Sequence, residues 1–246
     1  MTDKQSNWQT AELAETFLQG VRGAIPAAVF QLELISRIIT SWYSRPRRII
    51  DLGCGDGAVG RFLLKHYPNT HIIFADFSEP MLDAARMQIE NNAQATVVKA
   101  DFSSPSWLDA IGSKENVDIV VSGFAIHHQP DQRKIDLYTE VFNLLSDGGV
   151  FLNLDQVAST TQNVEHLFDN YFIDHLYQFH QAMDPAKSRE EIAQGWYHRP
   201  DKKEHILAPV QDQCEWLRNI GFMDVDCFFK VFELALFGGR KPSGNM

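Results

Sequence analysis

The chain has 246 residues, of which 32 are Asp or Glu and 22 are Lys or Arg, giving a formal net charge of -10 at pH 7. That balance repels phosphate backbones and anionic lipid, so a general role on nucleic acid or at a membrane surface starts at a disadvantage, and the cluster Arg45, Arg47 and Arg48 is too small to reverse it. The length suits one α/β domain with an insertion.

Cys54, Cys214 and Cys227 are odd in number and lack C-x-x-C spacing, which argues against a disulfide framework or a structural zinc site and fits a reducing, cytoplasmic setting. The opening "MTDKQSNWQT" is polar and no later run reaches membrane-spanning length, so a soluble, unprocessed chain is expected.

In chain order, helices are predicted over Thr10 to Gln19 and Pro26 to Trp42, the second with Val29, Leu32, Ile35, Ile38 and Ile39 on one stripe. They form an amino-terminal helical cap over residues 1–45. "RRIIDLG", "AVGRFLLKHY" and "HIIFAD" then read as strand, helix and strand. A helix "MLDAARMQIE", strands "ATVVKAD" and "VDIVVSG", a helix from Asp131 to Leu145, the turn "SDGG" and the strand "VFLNLD" complete a core over 46–155. Regular alternation implies a parallel sheet covered on both faces. Residues 156–210 break the pattern with a polar, aromatic-rich helical insertion. There "HLFDNYFIDHLYQFH" sets Leu167, Phe168, Tyr171, Phe172, Leu176 and Phe179 on one face, suited to packing on the sheet edge or to a lid over the strand ends. A final segment, 211–246, supplies a helix and two strands, "FMDVDCFF" and "VFELALFGG", whose short link requires one to run antiparallel.

The loop "DLGCGDGAVG" fits two nucleotide patterns. Gly53, Gly55 and Gly57 give G-x-G-x-G, and Gly55, Gly57 and Gly60 give the dinucleotide fingerprint G-x-G-x-x-G. Charge separates them, because a pyrophosphate beside Asp51 and Asp56 meets like charge at a cost on the order of several kcal/mol in a poorly solvated cleft. A ligand carrying an ammonium group instead gains a charge-assisted contact. Asp76 and Asp101 close the next two strands, so acids line one rim of the sheet.

With "IIDLGCGDG", "FADFSEPMLDAAR", "VVKADF", "VDIVVSGFAIHHQPD", "LLSDGGVFLNLD" and "WLRNIGF" leading into "FELALFGGRK", the chain resembles class I S-adenosylmethionine (SAM)-dependent methyltransferases. The resemblance implies a Rossmann-like, doubly wound, seven-stranded, mostly parallel sheet with an antiparallel last strand. It further implies that Asp51 and the backbone of Gly53, Cys54 and Gly55 hold the methionine part and Asp76 the ribose. Phe77 and Met81 would flank the adenine, Asp101 and the main chain of Phe102 would meet its edge, and Ser122 and Gly123 would line the path to the methyl group. The layout is also similar to carboxy-SAM synthases, although Trp216 stands where a carboxylate-binding arginine is wanted, with Arg218 nearby.

His127 and His128 follow the fourth strand at the expected edge of the cleft and are the candidate proton acceptors. Five further histidines, His166, His175, His180, His198 and His205, fall in the insertion; His175 and His180 point to different helix faces, and no metal site is expected. In "GWYH", Trp196 and Tyr197 suit either an apolar substrate or buried anchors. No N-P-P-Y-type motif follows the fourth strand, so the expected partner is a small-molecule methyl acceptor, without nucleic acid or membrane, and a homodimer remains compatible.

Overall fold

In the computed structural model, residues 24–90, 92–112, 116–182 and 184–244 are described. The helix expected over residues 10–19 lies outside them. Helix α1 (Ala28–Trp42) leads into β1 (Arg48–Leu52), α2 (Ala58–His66), β2 (His71–Asp76), α3 (Glu79–Ile89), β3 (Ala95–Lys99), the short α4 (Trp107–Ala110) and β4 (Val117–Gly123). After a turn of 3-10 helix at Ile126–His128 come α5 (Asp131–Leu144), β5 (Leu145–Gln156), α6 (Gln162–Gln181) and α7 (Arg189–Tyr197). A second 3-10 turn at Pro200–Glu204 precedes α8 (Val210–Ile220), β6 (Met223–Val231) and β7 (Leu234–Arg240). Among the described residues no helix is long and apolar enough to cross a membrane.

One seven-stranded sheet runs in the order β3-β2-β1-β4-β5-β7-β6. Strands β1 to β5 are parallel, and β7 lies antiparallel between β5 and β6. The central strands read as continuous apolar runs because both faces are covered. On one face Ile35 and Ile39 of α1, Leu63 of α2 and Leu82 of α3 pack against Ile49 and Phe74. On the other, Tyr138 and Val141 of α5 and Leu217 of α8 pack against Phe151 and Phe237. Each such fully buried side chain is worth roughly 1.5–3 kcal/mol relative to exposure. Because the chain leaves β1 toward β2 and β3 and returns at β4, the crevice between the carboxyl ends of β1 and β4 is the switch point where open α/β sheets take ligands.

The insertion has a small core of its own. Phe168, Phe172, Ile173 and Leu176 of α6 meet Ile192 and Trp196 of α7 and are seated on Leu234 of β7. Three expectations need correction. Val29 is 69% exposed and Leu167 is 58% exposed, so both predicted stripes are narrower than the sequence pattern. The "SDGG" stretch is no separate turn before a strand: Leu145 already pairs with Val117, and a register shift between Val117 and Ile119 absorbs these residues before Val150 resumes the ladder opposite Ile119. A bulge of this kind bends the strand without ending it.

Candidate active site

The glycine loop is shaped by contacts as well as by its own flexibility. Gly53 has φ +68, and a Cβ there would sit 2.3 Å from the Ala125 side chain, so the loop crosses β4's exit at backbone distance. At Gly60 a Cβ would approach the Phe74 ring to 2.3 Å and Asp51 Oδ2 to 2.9 Å. The third glycine of the dinucleotide pattern is therefore demanded by packing of α2 on the sheet, whichever ligand binds.

Asp51 is fully buried, and its Oδ2 accepts a hydrogen bond from the Gly60 N–H at 2.8 Å. Its carboxylate thus clasps β1 to the start of α2. Asp56 accepts from the Ala58 N–H at 3.3 Å and pairs with Arg61 at 3.0 Å, so its charge within the loop is partly balanced and discriminates less against a pyrophosphate than the bare sequence suggests. Cys54 is buried, and burial, followed by the neighbouring Asp76, Asp51 and Asp56, pushes its thiol well above the ordinary range. An inert thiol leaves only its backbone to contribute.

Asp76, at the end of β2, accepts the Gly55 N–H on Oδ2 at 2.9 Å and the Ser78 N–H on Oδ1 at 2.9 Å. Burial raises its carboxyl above the usual value, against the opposing pull of the Ser78, Gly55 and Phe77 N–H groups. Each carboxylate oxygen has a further lone pair, so the same group can fix the loop and receive ribose hydroxyls. Phe77 is half-buried beside it and Met81 is buried. Asp101 is exposed and accepts the Ser103 N–H at 2.8 Å. The Phe102 carbonyl is already taken by Arg133 Nε at 2.9 Å, which leaves the amide as its main-chain contribution to an adenine edge. Ser122 is fully buried with no hydrogen-bond partner for its Oγ among the described residues, and Gly123 follows it at the mouth of the cleft.

Beyond Gly123 the chain turns sharply. Phe124 has φ +56, a left-handed conformation that costs a non-glycine residue on the order of 1–3 kcal/mol, and its N–H is held by the Leu154 carbonyl at 2.7 Å. The turn delivers His127 to Asp155 at the end of β5, with Nδ1 2.5 Å from Oδ1 and the His127 backbone N–H 3.0 Å from Oδ2. An ionised carboxylate only accepts, so Nδ1 carries the proton and the lone pair resides on Nε2. His128 lies against His127 with centroids 4.0 Å apart, and its Nδ1 is 3.3 Å from the Glu204 carbonyl. Burial, then the neighbouring His127 and His205, pushes the His128 ring down to about 2. His205 comes from the far end of the insertion and is likewise lowered, chiefly by burial, although Asp201 Oδ2 at 3.3 Å opposes the shift. His205 is therefore partly buried at the edge of the cavity and not on the outer surface of the insertion. Its segment is pinned beside the turn by the Ile206 N–H on the His127 carbonyl at 2.9 Å, and by the buried Lys134, which donates to the Ile206 carbonyl.

His127, His205 and Asp201 face a cavity of about 570 Å³, a volume typical of small-molecule sites. Phe124 and His127 come from the β4 exit, Gln156 from the end of β5, and Phe172 and Trp196 from the insertion. Trp196 stacks on Phe172 at 4.4 Å, donates from Nε1 to Asp169 at 2.6 Å and carries the Arg199 guanidinium 3.7 Å above its ring. It is at once an anchor and part of the wall; Tyr197 is exposed. Arg218 lies on the exposed side of α8 and donates to the Val225 carbonyl at 2.8 Å, while Trp216 packs against the sheet core, so neither reaches the cavity. Asp155 and His205 were missed from sequence. Asp155 carries the same signal as Asp51, Asp76 and Asp101, an acid closing a strand; His205 has no local signal.

Residues 49–149 match the family described as "Methyltransferase domain". The chain is 26% identical over 230 residues to a carboxy-S-adenosyl-L-methionine synthase of Nautilia profundicola, covering 92% of this chain and 91% of that one. Among solved structures it is similar to an O-methyltransferase family protein from Burkholderia thailandensis (TM-score 0.65, 15% identity, 95% of this chain and 59% of that one). It is also similar to human N-acetylserotonin methyltransferase in complex with SAM (TM-score 0.60, 15% identity, 96% and 58%). The chain spans less than two thirds of either solved chain.

Proposed function

We propose that this chain, which belongs to the class I SAM-dependent methyltransferase family and uses SAM, transfers the methyl group to a small, largely apolar acceptor held in the cavity behind β4. The carrying observation is the lining of that cavity: Phe124 and His127, which directly follow β4, meet the aromatic side chains Phe168, Phe172 and Trp196 there, and His127 is held by Asp155. Transfer from a sulfonium is an in-line displacement, so holding the acceptor against the methyl carbon supplies much of the acceleration. If the acceptor atom bears an acidic proton, Nε2 of His127 takes it, with Asp155 stabilising the imidazolium, a contribution of about 10²–10⁴-fold in such sites.

In this reading residues 46–155 with 211–246 form the SAM-binding core. Residues 24–45, the described part of the amino-terminal segment, form a cap and 156–210 a lid whose aromatic face completes the acceptor site. Asp76 receives the ribose, Phe77 and Met81 flank the adenine, Asp101 and the Phe102 amide meet its edge, and Asp51, Gly53, Cys54 and Gly55 surround the methionine part. His128 packs behind His127 and shapes its environment.

A second reading, formation of a carboxylated SAM, is favoured by the carboxy-SAM synthase that matches nearly the whole chain. Its extra carboxylate needs a cation, and Arg199 lines the cavity, although Asp201 lies 3.6 Å from it. Incubation with methyl-labelled SAM and a metabolite extract separates the two by mass spectrometry. Labelled acceptor with S-adenosylhomocysteine supports methyl transfer, a carboxylated SAM supports the second reading, and SAM recovered unchanged from every fraction refutes both.

A further inference from the structure

We propose that His127, His128 and His205 form a binding site for one divalent transition-metal ion of the imidazole-preferring class, such as zinc, with its remaining coordination position open to the cavity. One ring nitrogen from each of the three lies within 4.8 Å of the other two. The ring centroids are 4.0, 4.7 and 5.2 Å apart. Tetrahedral zinc, with Zn–N bonds of about 2.0–2.1 Å, spaces its ligand nitrogens about 3.3 Å apart, so the rings need to close by roughly 1.5 Å.

Proximity alone does not distinguish a metal site from packed rings, but the surroundings of the three histidines do. Each ring has an oxygen acceptor on a nitrogen: Asp155 Oδ1 at 2.5 Å for His127, the Glu204 carbonyl at 3.3 Å for His128 and Asp201 Oδ2 at 3.3 Å for His205. Metal-ligating histidines are held in this way, because the acceptor fixes the tautomer and raises the basicity of the opposite nitrogen. Two of the three acceptors are carboxylates, which also offset the charge of a bound cation. The ligands come from chain segments far apart in sequence, yet the Ile206–His127 backbone bond and Lys134 hold them in register without the ion.

His127, His205 and Asp201 all line the cavity. Three protein ligands with a reachable fourth position is the arrangement of reactive metal sites, whereas structural sites are closed by four. An oxygen-bearing acceptor, such as a hydroxyl or carbonyl compound, is the ligand class that position would take. This inference shares its cavity with the proposed methyl transfer but rests on the rings alone. An ion occupies the lone pair that proton acceptance at His127 requires, so the two roles belong to the loaded and metal-free states.

The test uses the full chain, stripped with chelator, titrated with zinc by calorimetry and with cobalt(II) by visible absorption. The expected result is one ion per chain and an intense cobalt band of the four-coordinate kind. His128→Gln and His205→Gln should each weaken zinc binding by at least about tenfold, and Asp155→Asn by about 10- to 100-fold. SAM binding, which uses the glycine loop, is measured on each variant as the check of folding. Should His205→Gln lose SAM binding, Asp201→Asn serves in its place and is expected to weaken zinc with every ligand retained. Absence of saturable zinc binding by the wild type overturns the proposal, as does zinc binding of wild-type strength in a folded variant lacking both His128 and His205. Failure to find methyl transfer touches none of these readouts, so the two proposals fall separately.

Discussion

Replacing Asp76 by alanine removes two clasps together with the proposed ribose contact, and their magnitudes can be separated. Its Oδ2 holds the Gly55 N–H and its Oδ1 the Ser78 N–H, each at 2.9 Å. A buried donor left without a partner costs about 1–3 kcal/mol, but the space vacated by the carboxylate admits water to both, so a stability loss of about 2 kcal/mol is expected. The ribose hydroxyls lose a charged acceptor as well, worth about 1–3 kcal/mol, or roughly 5- to 150-fold in SAM affinity. Asp101→Ala is the graded comparison: that carboxylate is exposed and accepts the Ser103 N–H, so its solvent-screened contact with the adenine edge should change affinity by less than about 1 kcal/mol. Urea unfolding measures the first quantity and calorimetric titration with SAM the second. A variant that is less stable yet binds SAM with unaltered affinity would show Asp76 to be a clasp of the loop and nothing more.

Gly60→Ala places a methyl group 2.3 Å from the Phe74 ring and 2.9 Å from Asp51, so α2 must move off the sheet; a loss of about 1–3 kcal/mol in urea unfolding is expected, and wild-type stability would contradict that packing. Trp196→Ala removes the Phe172 stack, the Asp169 hydrogen bond and the Arg199 contact together, which predicts a loss of about 3–5 kcal/mol or separate melting of the insertion, both visible by calorimetry. For pH, the lowered His128, at about 2, and the lowered His205 stay uncharged in the fold and are protonated only in the unfolded chain below the ordinary value of 6.5. The unfolded state then binds more protons, so metal-free stability is complete above that value and falls as pH drops, by about 1.4 kcal/mol per unit for each histidine until its folded value is reached. Unfolding at pH 7.5 and 5.5 should show the loss, and His128→Gln should lessen it; an unaltered slope in that variant counts against the assignment.

Sequence pattern revealed the sheet because central parallel strands announce themselves as apolar runs, several of them also closed by an acid at the carboxyl end. "RRIID", "HIIFAD" and "VDIVVSG" all fall on observed strands. The antiparallel hairpin followed from a link too short for a crossover, and β7 indeed runs antiparallel between β5 and β6. What failed was local detail decided by neighbours. Val29 and Leu167 fit their stripes by period but lie beyond the width that the packed partner covers, and the "SDGG" turn is pulled into β5 by pairing with Val117. Around the cavity, the glycine loop and strand-end acids were legible because each is local. The meeting of His127 and His128 with His205 is not, since it depends on a buried lysine and one backbone hydrogen bond between distant segments. Asp155 was readable in principle: it closes "VFLNLD" as Asp76 closes "HIIFAD".

The relation between cofactor and cavity is tested most directly by a crystal structure with S-adenosylhomocysteine bound. The account predicts ribose hydroxyls on the Asp76 carboxylate, adenine beside Phe77 and Met81, and the sulfur turned past Ser122 and Gly123 toward the cavity that holds His127. A nucleoside seated away from Asp76, or a sulfur separated from that cavity by closed protein, would contradict it.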